Sequence, residues 1–238
     1  LAINRPERRN VVDHDLLGEI AVALQTVGQK AGAVVLRGTG GVAFSAGFDL
    51  DRIGGTDQDL EADQAIGVAV ESILACPVPV ISMIQGHCHG GGVELALSCD
   101  LRIASHALQL SLKAVSLGVV YRYQLVSRLV SLAGLGRATD LLLAMPTLDA
   151  ATALEWGLVS EVHPASHVEA RTRELAEAVT RAPRSAVEGT KASLVMAGLE
   201  PLEHTDLERA ARWRRRAATS PERRAALAEA KKRLGRRA

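Results

Sequence analysis

The chain has 238 residues, 47% hydrophobic and 23% charged, enough for one large or two small globular domains and too apolar for a disordered segment. No apolar run approaches the roughly 20 residues that cross a bilayer, which excludes a membrane-spanning helix. The net charge of +1 hides an uneven distribution: residues 209–238 carry 12 Lys and Arg against only Glu222 and Glu229, and the remainder is acidic. That basic tail reads first as a solvated helical face or a subunit contact. With one aromatic residue and no recognisable binding motif, it does not read as a nucleic-acid surface. Three cysteines (Cys76, Cys88 and Cys99), each among apolar neighbours, make no disulfide framework and point to a reducing, cytoplasmic location.

In chain order, residues 13–29 (DHDLLGEIAVALQTVGQ) place apolar residues at helical spacing behind an Asp opening. Residues 33–38 (AVVLRG) are almost continuously apolar, as expected of a strand buried on both faces. A second helix is predicted over 57–76, a second buried strand over 77–86 (PVPVISMIQG), and a third strand over 101–105 (LRIAS). The short interval to LQLSL, residues 108–112, suggests another strand pair. Beyond about residue 135 the pattern turns helical, at 136–145, 149–157, 167–182 and 183–198, with only LVSEV (158–162) strand-like. Two more helices, over 202–220 and 221–237, close the chain. The coarse picture is an α/β core followed by a helical C-terminal region.

The stretch GHCHGGGVELALSCD, residues 86–100, reads as a strand, a turn and a buried helix. Glycines at 90–92 let a second backbone or a ligand approach to contact distance, and they lie where a helix N-terminus offers unpaired N–H groups. Glu94 in the first helical turn is then either a positioned acid or base, or a favourable charge on the helix dipole. His87 and His89 alternate with Cys88 and share one side of a strand. No further set at ligand spacing completes a metal site, so none is expected. A second stretch, GGVAFSAGFDL (40–50), is a small-residue turn after a buried strand. It lacks the Lys of a phosphate loop and is not a G-x-S-x-G elbow.

Together AINRPERRN, AFSAGFDL, PVPVISMIQGHCHGGGVELALSCDLRIAS and AATALEWGLVSEV stand in the order and spacing of the enoyl-CoA hydratase/isomerase (crotonase) superfamily, which this chain resembles over essentially its whole length. The resemblance implies a spiral of ββα units making two roughly perpendicular sheets over residues 1–180. A helical oligomerisation region over 181–238 would build homotrimers, often paired into hexamers. It implies an acyl-CoA thioester substrate and no separate cofactor, coenzyme A arriving as part of the substrate; neither nucleic acid nor membrane is an expected partner. The N–H groups of Phe48 and Gly91 would grip the thioester carbonyl, where an enolate oxyanion develops. The NRPERRN turn, with Arg5, and the loop carrying Ala46, Gly47, Asp49 and Leu50 would flank adenine and pantetheine. Gly90, Ala114, Tyr121 and Arg122 complete the implied substrate-binding set.

Glu94 matches the first of two glutamates that hydratases of this kind use to orient water and move protons. At the second, usually within P-E-x-x-x-G, this chain has Lys113 and Ala114, so that acid is missing. Further on, GVVYRYQL (118–125) replaces a Gly-rich turn, and Arg122 falls where some relatives carry Asp. Arg122 could bind a carboxylate on the acyl group, or pair structurally with Glu94 or Asp140. Tyr121 and Tyr123 would narrow the acyl pocket. Three readings remain: a one-acid isomerase-type proton transfer, an acyl-CoA-binding protein without hydratase chemistry, and other thioester chemistry such as decarboxylation or hydrolysis.

Overall fold

The computed structural model describes residues 1–54, 59–198, 208, 211–212, 215 and 219–235. Strands β1 (Ala2–Ile3), β2 (Val34–Gly38), β4 (Val80–Ile84), β6 (Leu101–Ser105) and β9 (Glu161–His163) form a parallel sheet in the order β1-β2-β4-β6-β9. Each of β2, β4 and β6 is followed at once by a short strand belonging to a second sheet. These are β3 (Ala43–Ser45), β5 (His87–His89) and β7 (Gln109–Ser111), and β8 (Leu148–Asp149) closes the order β3-β5-β7-β8, antiparallel to β7. Helices α2 (Asp59–Ala75), α3 (Gly91–Ser98) and α4 (Tyr123–Thr139) follow the three strand pairs, which gives the repeated ββα unit. Helix α1 (His14–Gly28) precedes them, and α5 (Ala150–Glu155), α6 (Ala165–Thr180), α7 (Arg184–Gly198) and α8 (Pro221–Gly235) complete the described α-helices.

The apolar runs behave as continuous burial on both faces requires. Along β4 every residue is buried: Ile81 and Met83 pack with Ile103 and Val168 beneath α6, while Val80 and Ile84 join the large cluster shared with α1, α2 and α3. Helix α1 opens at Asp13, whose side chain accepts the Leu16 N–H, and buries Leu17, Ile20, Ala21 and Leu24. Helix α7 is attached differently, through buried Lys191. Its Nζ donates to the carbonyls of Ile73 (3.0 Å) and Val78 (3.1 Å) and to Asp100 Oδ2 (2.8 Å).

Several predicted boundaries move. The strand expected over 77–86 ends at Ile84, and the chain turns at Gly86 into β5. Gly86 has φ +63°, and a Cβ there would collide with the Val42 carbonyl oxygen, so only glycine allows this crossing between sheets. LRIAS and LQLSL do not pair with each other; β6 joins the first sheet and β7 the second. The helix expected from residue 136 does follow a break, at Gly134 (φ +79°), which separates it from a helical segment that starts at Tyr123; β8 is an extra strand in the region read as helical. The helix predicted over 202–220 lies largely outside the described residues. Among the described residues no helix is long and apolar enough to cross a membrane.

Candidate active site

Between the second sheet and the helices that follow it lies a cavity of about 470 Å³. One end is made by the loop after β3 and the N-terminus of α3. Val12 and Phe48 form an isolated parallel bridge in which Val12 N donates to Gly47 O (2.9 Å) and Asp49 N donates to Val12 O (2.8 Å). The bridge therefore uses the groups on either side of Phe48 and leaves the Phe48 N–H pointing elsewhere. On α3, Gly90 N donates to Ser111 O, and the Val93 and Glu94 N–H groups close onto Gly90 O. Neither Phe48 N–H nor Gly91 N–H has an acceptor among the described residues.

These two donors lie side by side. A Cβ built on Gly47 would stand 3.4 Å from Gly91 N, and one built on Gly91 would stand 3.8 Å from Phe48 N. Two close approaches fix the arrangement. Gly47 (φ +91°) has the His89 carbonyl where its Cβ would be, at 2.7 Å, and Gly92 meets the Ser45 backbone at 2.8 Å. The Ser45 hydroxyl also accepts the Gly47 N–H, tying the loop to β3. The pair can hold one oxygen in which negative charge develops.

Glu94 faces the same space from the first turn of α3, 3% exposed. Arg122, at the N-terminus of α4 and 8% exposed, donates to it twice, from Nε at 2.8 Å and from Nη2 at 2.6 Å. Both bonds end on Oε1, and no described residue donates to Oε2. Burial pushes the Glu94 carboxyl above its ordinary value, and the Arg122 charge and hydrogen bonds offset only part of that rise. Of the alternatives for Arg122, the structure realises the pair with Glu94; Asp140 is not its partner.

Space for the guanidinium comes from α2. A Cβ on Gly67 would clash with Arg122 Nη1, so a mid-helix glycine, normally a cost, is here a seat. Ala114, at the position where the resemblance would put a second acid, lines the cavity. Tyr121 lines it too, its hydroxyl held protonated well above the ordinary range by burial, opposed by the Ala114 amide and reinforced by the Glu94 charge. Tyr123 starts α4 and does not line the cavity.

The remaining expected site residues divide. Ala46, Gly47, Leu50 and Gly90 line the cavity. Arg5 does not: its Nη1 donates to Asp13 Oδ2 at 2.7 Å. Asp49 is also elsewhere, taking a two-pronged bond from Arg8 at 2.6 and 2.9 Å. Arg9, from the same turn, is the arginine that reaches the cavity. From the basic tail, Arg223 of α8 lines the cavity, and Lys231 Nζ donates to Ile53 O at 2.9 Å.

His87 and His89 both turn to the cavity, with Cys88 buried behind them. Their ring centroids are 5.3 Å apart, and His89 Nδ1 shares a hydrogen bond with the Ser111 hydroxyl at 2.9 Å. Burial, with the charges of His87, Lys113 and Arg9, lowers the His89 pKa to about 4, so its ring is neutral at pH 7. Among the described residues no three His, Cys, Asp or Glu side chains gather as a metal site.

The family model for enoyl-CoA hydratase/isomerase matches residues 1–232. The chain belongs to the enoyl-CoA hydratase/isomerase family. It is 31% identical over 211 residues to the peroxisomal Delta(3,5)-Delta(2,4)-dienoyl-CoA isomerase of Arabidopsis thaliana, covering 82% of this chain and 76% of that one. Its fold superposes on an enoyl-CoA hydratase/isomerase from Xanthobacter autotrophicus Py2 with a TM-score of 0.85 and 30% identity, covering 97% and 88% of the two chains. It also superposes on a methylmalonyl-CoA decarboxylase bound to 2-nitronate-propionyl-CoA, with a TM-score of 0.87 and 25% identity, covering 96% and 89%. The two-sheet ββα spiral described above is thus the crotonase fold of this family.

Proposed function

We propose that this member of the enoyl-CoA hydratase/isomerase family moves a proton within an enoyl-CoA chain, shifting the double bond, with Glu94 as the proton carrier. The observation that carries this reading is that Glu94 is the single carboxylate among the described residues lining the cavity. Its Oε2 removes a proton from the carbon beside the thioester carbonyl. The electron pair moves to the carbonyl oxygen, where the Phe48 and Gly91 N–H groups stabilise the enolate. The same carboxyl then returns the proton at the far allylic carbon, and the double bond closes between the other two carbons. Arg122 keeps Oε1 occupied, so one oxygen of Glu94 does the work. Adding water across a double bond calls for a second acid–base group to orient that water, and Ala114 supplies none. Coenzyme A enters as part of the substrate, and no resident cofactor is needed for these steps.

The test compares two conversions by enoyl absorbance: a 3-enoyl-CoA gaining it as the bond moves into conjugation, and crotonyl-CoA losing it on hydration. The expected result is isomerisation with hydration slower by about 10²–10⁴, the usual contribution of one acid–base group. Hydration at a comparable rate would overturn the one-acid mechanism. Decarboxylation of an acyl-CoA is the second reading, favoured by the likeness to the decarboxylase fold. It too uses the enolate oxygen site and needs no second acid. A homotrimer or a dimer of trimers belongs to the same proposal. Leu194 and Met196 of α7, 67% and 78% exposed, are consistent with a subunit contact, and sedimentation of the purified chain would decide.

A further inference from the structure

The cavity's second wall is unlike a site for a plain hydrocarbon chain. Strands β5 and β7 pair in register, His87 opposite Gln109 and His89 opposite Ser111. On the core side, Cys88 and Leu110 are buried; on the other side, all four polar residues face the cavity. Side-chain alternation therefore presents two imidazoles, an amide and a hydroxyl as one continuous surface. Arg9 and Lys113 line the same cavity and are themselves exposed. Against these donors and cations stands one described carboxylate, and Arg122 already answers its charge.

We propose that this wall is an anion subsite and that its occupant is a carboxylate on the acyl group, so that the preferred substrate is a carboxylated acyl thioester. This deepens the acyl-CoA reading above and rests on it. A carboxylate accepts several hydrogen bonds at once, and the wall offers donors at the spacing of paired strands together with two cations. Burial keeps His89 neutral first and the charges of Lys113 and Arg9 add to it; those two charges are the ones a bound anion would offset. The carboxylate-reading role considered for Arg122 passes to this wall, because Arg122 is engaged by Glu94.

The phosphates of coenzyme A are the other source of such an anion, and the experiment separates the two. Enoyl thioesters of pantetheine, which carry no phosphate, would be titrated by calorimetry as a matched pair, one ending in a carboxylate and one in its methyl ester. The same pair would be titrated as CoA thioesters. The expected result is binding of the carboxylate about tenfold or more tighter in both series, the effect of a charge-assisted hydrogen bond. That ratio should fall toward one in Lys113→Met and Gln109→Ala, both at exposed positions where folding is safe, and in His89→Asn. No preference in the pantetheine pair, with Lys113→Met weakening all CoA thioesters alike, would assign the wall to coenzyme A phosphate and overturn the inference. Failure of every thioester to bind would overturn the acyl-CoA reading itself, and this inference with it.

Discussion

Arg122 holds Glu94 by one oxygen only: Nε and Nη2 both donate to Oε1, and Oε2 receives no bond from a described residue. The pair is buried, so each member depends on the other. Removing the guanidinium leaves a buried carboxylate without a partner, which costs about 3–5 kcal/mol, whereas removing both charges costs much less. Arg122→Met is therefore expected to lower the melting temperature strongly, and Glu94→Gln in the same chain to restore part of it. Equal melting temperatures for the single and double variants would refute the coupling. The surviving activity of Arg122→Met should also need higher pH, because the carboxyl then loses the cation that opposes its burial.

Gly67→Ala tests the same pair from the opposite helix. Its Cβ would occupy the place of Arg122 Nη1 and press the guanidinium off Glu94. Overpacking of this kind costs about 1–3 kcal/mol. In an Arg122→Ala background the same substitution should be neutral or mildly stabilising, since alanine is the better helix former. A double-mutant cycle on thermal unfolding reads the difference, and additive effects would show that Gly67 does not seat Arg122.

Gly91→Ala should separate folding from turnover. The nearest atom its Cβ meets is Ile66 Cδ1 at 2.9 Å, the far end of a flexible side chain, so the chain should fold. The same methyl would sit 3.8 Å from Phe48 N, in the space an oxygen must fill to reach both donors. Alanine keeps its N–H, but keeping the oxygen away from one such donor should cost about what losing the donor does, about 10²–10³ in rate. The expected outcome is a nearly unchanged melting temperature with kcat reduced by that factor, and unchanged kcat would sink the role given to these N–H groups.

His89 makes the protein's stability depend on pH in a defined window. The unfolded chain takes up this proton near pH 6.5, while the folded chain does so only at about 4. The unfolded state binds more protons between those values, so stability falls as pH drops from 6.5 to 4 and this contribution is level below. His89→Asn should flatten the upper part of that fall. Below pH 4.5 both proteins should continue to lose stability, because Arg171 and His163 hold Glu161 down to about 2. Denaturant midpoints across pH 3–7 for the two proteins check both windows, and parallel curves from 6.5 to 4.5 would refute the assignment.

What could be read in advance was local, and what could not depended on distant backbone. The triple glycine before Glu94 and the small turn before Phe48 are contiguous signals, and both reach the cavity as expected. Ala114 was legible for the same reason, and it too lines the cavity. The choice among three arginines in NRPERRN was not. Arg9 and Asn10 both adopt left-handed backbone, at φ 54° and 58°, and buried Asn10 fastens that turn to the carbonyls of Thr39 and Ala43. Those two residues send Arg9 to the cavity and leave Arg5 on Asp13, which no spacing rule anticipates. Gly67 was equally hidden: inside a helix it gives no turn signal, and its purpose exists only once Arg122 arrives from another helix.

The Val12–Phe48 bridge carries a consequence for how such a chain can change. Hydrogen-bonding direction alternates along an extended backbone, so whether a given N–H faces its neighbour or the cavity is a matter of parity. Here Gly47 and Asp49 serve the neighbour and Phe48 is left over. A slip of one residue in the pairing of this segment with Val12 would exchange those assignments and silence the donor, even with every side chain of the cavity retained. A slip of two would restore the orientation. The register of that one bridge is as much a part of the site as Glu94.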